Sequence, residues 1–134
     1  MTTFALKIVT PDGVQFDGDA RELVVRTTSG DVGILAGHIN YVAPLGMGMA
    51  TVITENENRR AACIGGMVSV AEGKVTLLPT TFEWSGEIDL QRANHSEERA
   101  RSVLADKSAS QRELVMAQAR LKRALVRKGV ANYK

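Results

Sequence analysis

The sequence predicts an α+β chain, an N-terminal β-sandwich of about ten short strands followed by a C-terminal two-helix hairpin. Three observations lead there. Apolar residues mostly alternate with polar ones up to Glu87, between Gly, Pro, Asp and Asn turn signals; from Ile88 onward there is no Pro, a single Gly (Gly129), and an Ala, Leu and Arg pattern at helical spacing. Charge splits at the same point: residues 1–87 carry 6 Lys/Arg against 10 Asp/Glu, whereas residues 94–134 carry 10 against 4. The boundary expected from this change separates a mildly acidic body, 1–87, from a basic helical tail, 88–134.

Taken in order, Ala5 to Thr10 reads as a strand ending at Pro11-Asp12-Gly13, where Pro presets φ and Gly tolerates positive φ. Val14 to Phe16, Glu22 to Thr27 and Val32 to Leu35 follow, separated by Asp17-Gly18-Asp19 and Ser29-Gly30-Asp31. Between Tyr41 and Thr54, Gly46 and Gly48 suggest strands with bulges or close backbone approaches. Glu55 to Asn58 is a polar hairpin tip; Arg60 to Ile64 and Met67 to Ala71 flank Gly65-Gly66, and Glu72-Gly73-Lys74 turns into Val75 to Leu78. Pro79 to Glu87, with the only tryptophan, Trp84, is expected to connect the two regions. Asp89 stands where an N-cap would. Leu90, Ala93, Ala100 and Leu104 fall roughly on one face of a first helix, Asp106 to Ser110 is a polar break, Leu114, Ala117, Leu121 and Leu125 stripe a second helix, and Gly129 is a natural stop. Such narrow, Ala-rich stripes make a hairpin of marginal stability that can exchange between packed and released states.

Composition narrows the function. A lone cysteine, Cys63, excludes an intrachain disulfide and reads as core packing. No basic patch leads into a long apolar core at the N-terminus, and no uncharged apolar run approaches the roughly 20 residues of a membrane span, so a soluble, non-exported chain is expected. Aromatic residues are scarce and none is interleaved with the tail cations, which disfavours nucleic-acid binding. No phosphate loop is present, His38 and His95 lack partners at metal-ligand spacing, and no nucleophile, acid-base or metal constellation points to an enzyme.

Two segments stand above this background: Ser29-Gly30-Asp31-Val32-Gly33-Ile34-Leu35-Ala36-Gly37-His38, and Ile88-Asp89-Leu90-Gln91-Arg92-Ala93. Taken alone, the first fits a glycine-rich strand corner and the second a helix cap followed by a solvated arginine. In this order and separation, with the opening LKIVTPDGVQFDG and the Gly65-Gly66 pair, they resemble the ε subunits of bacterial F-type ATP synthases over the whole chain. Ala36 departs from the Pro usual in that family's GILPGH-like segment.

The resemblance implies a non-catalytic rotor subunit, with no required cofactor, that couples proton transport to ATP synthesis from the cytoplasmic face of the membrane. Its expected partners are the γ subunit and the ring of c subunits, with Asp31, Gly33 and His38 at the contact. It also implies a mobile tail that inhibits ATP hydrolysis when extended. Arg112, Arg120, Lys122, Arg123, Arg127 and Lys128 are then candidates to grip an acidic part of the β subunit, although a solvated helix face has the same composition. Some members bind ATP on the folded hairpin through an I(L)DxxRA motif, whose specified positions are all filled at 88–93. By that resemblance ATP is the regulatory ligand, and Glu83, Ile88, Asp89, Arg92, Ala93, Arg99, Arg123 and Arg127 are its expected contacts, Asp89 capping the helix and orienting Arg92. The competing class is a basic-tailed adaptor that binds nucleic acid or an acidic protein.

Overall fold

In the computed structural model, which describes residues 2–133, the chain divides after Trp84 into a strand unit and a helical unit. Eight strands form the first: β1 (Phe4–Thr10), β2 (Gly13–Ala20), β3 (Glu22–Thr27), β4 (Gly30–Leu35), β5 (Tyr41–Pro44), β6 (Met47–Ile53), β7 (Asn58–Ala71) and β8 (Lys74–Trp84). Their order is β2-β1-β8-β7-β6-β3-β4, with β5 also paired to β7. Neighbours are antiparallel except β1 and β8, which run parallel. Alternation decides which side chains go inside: Phe4, Leu6 and Ile8 on β1, Leu23 and Val25 on β3, and Val75 and Leu77 on β8 are buried together with Ile34, Val52, Val68, Phe82 and Trp84. The two buried polar residues among those described, Thr10 and Thr27, each tie a hairpin turn. Thr10 Oγ1 accepts from the Asp12 amide at 3.1 Å, and Thr27 Oγ1 from the Ser29 amide at 3.1 Å.

The sandwich reading holds, with fewer and longer strands than the turn signals suggest. Gly65-Gly66 does not end a strand. β7 passes through both glycines at φ +69° and +99°, and there it changes partner: residues 58–64 pair with β6 and residues 67–70 with β5. A Cβ on Gly66 would lie 1.9 Å from the Leu78 carbonyl oxygen, so the glycine is required for β8 to lie alongside. Nor is the stretch from Pro79 to Trp84 a connection. It continues β8, because Pro79 sits opposite Gly66 and the ladder to β7 resumes from Ile64↔Thr81 to Ala61↔Trp84. The actual connection is a 3-10 turn, Ser85–Glu87, that belongs with the helices, so the structural division comes ahead of the 87/88 boundary expected from residue pattern.

The helical unit pairs α1 (Leu90–Ala105) with α2 (Gln111–Ala131). Asp89 caps α1, its Oδ1 accepting from the Arg92 amide at 3.0 Å. The polar break closes on itself through Asp106 Oδ1, which accepts from the Ser108 amide and hydroxyl. Ser110 and Glu113 then form a reciprocal capping box for α2. Buried positions among the described residues are Ala93 and Ala100 on α1 and Ala117, Ala124 and Val130 on α2, a seam of small residues in which the alanines of each helix stand seven apart. Leu125, expected on that stripe, is instead exposed beside buried Ala124. Gly129 does not stop α2, which runs on to Ala131 and is capped at Asn132; a glycine inside a helix weakens it without ending it. No helix among the described residues is long and apolar enough to cross a membrane.

Candidate functional site

Two turns of α1 place residues 92, 95, 96 and 99 on one side of the helix, at the three- and four-residue spacings that align side chains. With Asp89 and Gln91 at the N-terminal end and Arg120 from α2, they line a cleft of about 570 Å³ confined to the helical unit. Three arginines from two helices therefore border it: Arg92 and Arg99 from α1 and Arg120 from α2. The lining has no aliphatic or aromatic side chain apart from the His95 imidazole. Its one carboxylate, Asp89, is engaged with a backbone amide of the first turn. A cleft with this donor set suits a multiply charged oxyanion, since guanidinium forks match phosphate oxygens bidentately.

Of the residues expected from the motif, Asp89, Arg92 and Arg99 line this cleft, whereas Ile88, Ala93, Arg123 and Arg127 do not. Ala93 is buried. Asp89 orients α1 by capping it: its hydrogen bond goes to the Arg92 backbone and not to the guanidinium. Glu83 lies in the strand unit, paired opposite Ala62. Arg120, expected only as an arm cation, also lines the cleft, as do Gln91, His95 and Ser96, which were unforeseen. Extending α1's i, i+3, i+4, i+7 series from Arg92 would have found His95, Ser96 and Arg99; no sequence signal aligned α2 with them.

An ion pair joins the two helices. Lys128 Nζ lies 2.6 Å from Glu97 Oε1, and Arg101 Nε 2.9 Å from Glu97 Oε2. Glu97 is 15% exposed, and its two cations, Lys128 foremost, hold its carboxyl below the usual range. Lys128 is thereby engaged when the hairpin is folded, while Arg112 and Lys122 stand exposed.

The glycine-rich segment has its own geometry on the strand unit. β4 is the end strand of the order, paired among the described residues only with β3. Gly33 is exposed on it, and Asp31 forms a two-point ion pair with Arg26, 2.6 Å at Nε and 3.2 Å at Nη2. Arg26 is laid down by a missing side chain: a Cβ on Gly48 would come within 2.6 Å of Arg26 Cβ. The pairing lowers the Asp31 pKa, keeping a fixed negative group at this edge. His38, half-buried, packs edge-on against Tyr41 at 5.6 Å, and its Nδ1 lies 2.8 Å from the Ile39 carbonyl oxygen. Ala36, where Pro was usual, is partly buried against the core.

An apolar strip was not foreseen. Pro44 pairs with Met67 and Met67 with Leu78, so the three side chains share one face with Val42, and all four are exposed. Adjacent apolar pairs such as Met67-Val68 and Leu77-Leu78 carry the signal, because alternation must turn one member outward. Cys63, by contrast, is buried in the core, which pushes its thiol pKa up to about 12 and leaves it unreactive. No group of three or more His, Cys, Asp or Glu able to hold a metal ion occurs among the described residues.

Comparison with known proteins places both units. Residues 3–85 match the family described as "ATP synthase, Delta/Epsilon chain, beta-sandwich domain", and residues 87–132 match "ATP synthase, Delta/Epsilon chain, long alpha-helix domain". The chain is 42% identical to the ATP synthase epsilon chain of Ruminococcus albus, covering 100% of each. It is 37% identical to that of Shouchella clausii, covering 100% of this chain and 98% of the relative. Among solved structures the fold resembles a chain of the Euglena gracilis mitochondrial ATP synthase OSCP/F1/c-ring assembly, with TM-score 0.81 and 22% identity over 91% of this chain and 77% of the other. A chain of the Tetrahymena thermophila mitochondrial ATP synthase central stalk and c-ring gives TM-score 0.65 at 12% identity over 96% of both.

Proposed function

The chain belongs to the family of ATP synthase delta/epsilon chains, and from that premise we propose that it is a non-catalytic rotor subunit whose helical hairpin regulates ATP hydrolysis and is latched in its folded form by ATP. The observation that carries this reading is the convergence of Arg92 and Arg99 with Arg120 on one cleft. An anion held by all three joins α1 to α2, and it does so only while the helices lie side by side. A ligand restricted to that state adds about 2.7 kcal/mol at a hundredfold excess over its Kd. That is comparable with what an alanine seam lacks. When ATP is scarce the hairpin opens, and Arg112, Arg120, Lys122, Arg123, Arg127 and Lys128 become available to an acidic stretch of the β subunit. Exposed pairs contribute about 0–1 kcal/mol each, so inhibition needs several together.

The strand unit is the docking body. The strip of Val42, Pro44, Met67 and Leu78 offers apolar area to the γ subunit, and the open edge of β4, with Asp31, Gly33 and nearby His38, faces γ and the c-ring. Through them the subunit couples proton transport to ATP synthesis while lying peripherally on the cytoplasmic face of a bacterial membrane. The test is reassembled synthase carrying either the full chain or one truncated after Glu87. Faster hydrolysis with the truncated chain at low ATP, and a difference that shrinks as ATP rises, is the expected result. Equal rates at every ATP concentration would remove the hairpin from regulation.

A further inference from the structure

Resting on that reading of the hairpin as a regulatory arm, we infer that Glu97 is a ligand-independent clasp that withholds Lys128 from the arm: α1 gives Lys128 the carboxylate that an acidic partner would give it once the hairpin is open. The contact joins residues 31 apart in sequence, with Lys128 Nζ 2.6 Å from Glu97 Oε1. Neither residue lines the cleft. The pair is also better shielded than an ordinary surface pair, Glu97 being 15% and Lys128 31% exposed, and shielding raises an ion pair above the little that a fully solvated one contributes. The lowered pKa of the Glu97 carboxyl, owed first to Lys128, agrees with a charge held in place.

The two cations on Glu97 differ in what happens when the helices part. Arg101 stands four residues on along α1, its Nε 2.9 Å from Glu97 Oε2, and an i, i+4 pair with the acid on the N-terminal side survives on a helix without a neighbour. Opening therefore leaves Glu97 with a partner and no stranded charge. Lys128 gives up the Glu97 carboxylate on opening, and its ammonium, in the last turn of α2, goes with the arm. The helix dipole favours a cation there in either state. Release thus leaves α1 neutral at this point and adds one available cation to α2. Arg120 is withheld differently, by lining the cleft. A cleft anion and Glu97 accordingly hold different arm cations and act on the same equilibrium. The anion closes the hairpin in proportion to its occupancy, whereas Glu97 sets how far the hairpin closes when the cleft is empty.

The experiment compares the full chain with Glu97→Gln, Lys128→Gln and the double variant by two readouts. The first is the thermal melt of each chain followed at 222 nm without nucleotide. Either single change is expected to raise the unfolding constant of the hairpin about two- to tenfold, and the double change to raise it no further than the larger single one. Single effects that multiply in the double variant would show that the two residues do not act on each other, and would overturn the clasp. The second readout is hydrolysis at low ATP by synthase reassembled with each chain. Glu97→Gln is expected to slow it about two- to fivefold, because more arms are open and Lys128 is released to grip. In the Lys128→Gln background the same change is expected to have no effect. An equal effect of Glu97→Gln in both backgrounds, or none in either, would overturn the clasp. If a chain truncated after Glu87 still hydrolyses faster in that case, the arm remains the brake and only the clasp is lost. If truncation changes no rate, the reading of the arm falls and the regulatory role of Glu97 falls with it.

Discussion

The strand unit and the helical unit are built from different materials. The sandwich buries Leu6, Ile8, Leu23, Ile34, Leu77, Phe82 and Trp84, with Phe82 and Trp84 edge-to-face at 4.8 Å and the Arg59 guanidinium 3.7 Å above the Trp84 ring. Among its described residues the hairpin buries four alanines and one valine. A buried Leu or Ile contributes about 1.5–3 kcal/mol and an alanine methyl about 0.8. The first unit therefore holds its shape through its core. The second depends on caps and an ion pair across its helices, which makes it the part on which the proposed ligand would have the greater effect.

Several substitutions would sharpen or break that contrast, and the largest effect belongs to the sandwich. Leu77→Ala should cost about 2–5 kcal/mol, seen as a lowered denaturant midpoint for the near-ultraviolet signal of Trp84. If the helical signal fell in step with it, the two units would be one cooperative body and the contrast would fail. Ala100→Leu should force the seam apart at about 1–3 kcal/mol. Amide exchange should then accelerate along α1 and α2 and stay slow in β1, β7 and β8; protection unchanged in the helices would mean the alanines are not packed tightly. Next come the caps: Asp89→Ala and Ser110→Ala should each lower hairpin stability by about 1 kcal/mol in thermal melts followed at 222 nm.

The smallest effect concerns acid. Glu97, held down first by Lys128 and then by Arg101, stabilises the hairpin above its unfolded pKa, and that contribution disappears as pH falls through the lower folded value. Hairpin stability should thus decline as pH drops below about 4, and Glu97→Gln should flatten the decline. Asp106, lowered by the Ser108 hydroxyl and amide, should leave a weaker residual slope. An identical acid profile for Glu97→Gln and the unsubstituted chain would show that the Glu97–Lys128 contact adds nothing.

Much of this molecule was readable before its coordinates. Alternation and turn residues place β1, β3 and β4, because local sterics and one-sided burial govern them; the N-cap at Asp89 and the break at Asp106 follow from side chains that bond their own backbone. What escaped was long-range. Gly65-Gly66 reads as a turn locally, and only the partner strands β5, β6 and β8 reveal it as the place where one strand serves two neighbours. Pro79 suggests an end, yet it stands opposite Gly66 with the ladder resuming beyond it. At the cleft, Asp89, Arg92 and Arg99 were named from the motif resemblance, and one helix's periodicity would have added His95 and Ser96. Arg120 was not assigned there, since its place depends on the rotation of α2 about its axis, which no local pattern records.

The alanine seam also bears on what happens when the helices separate. Alanine has the highest helix propensity and no side-chain rotamers to freeze. Ala93, Ala100, Ala117 and Ala124 thus lose little when turned toward water, and each helix keeps its reason to remain helical without its neighbour. A leucine seam would strand a wide apolar face on opening and favour collapse or aggregation. It would also require its side chains to find their rotamers again on closing. A methyl seam needs neither, which suits the proposed passage between a pair of helices and separate helices.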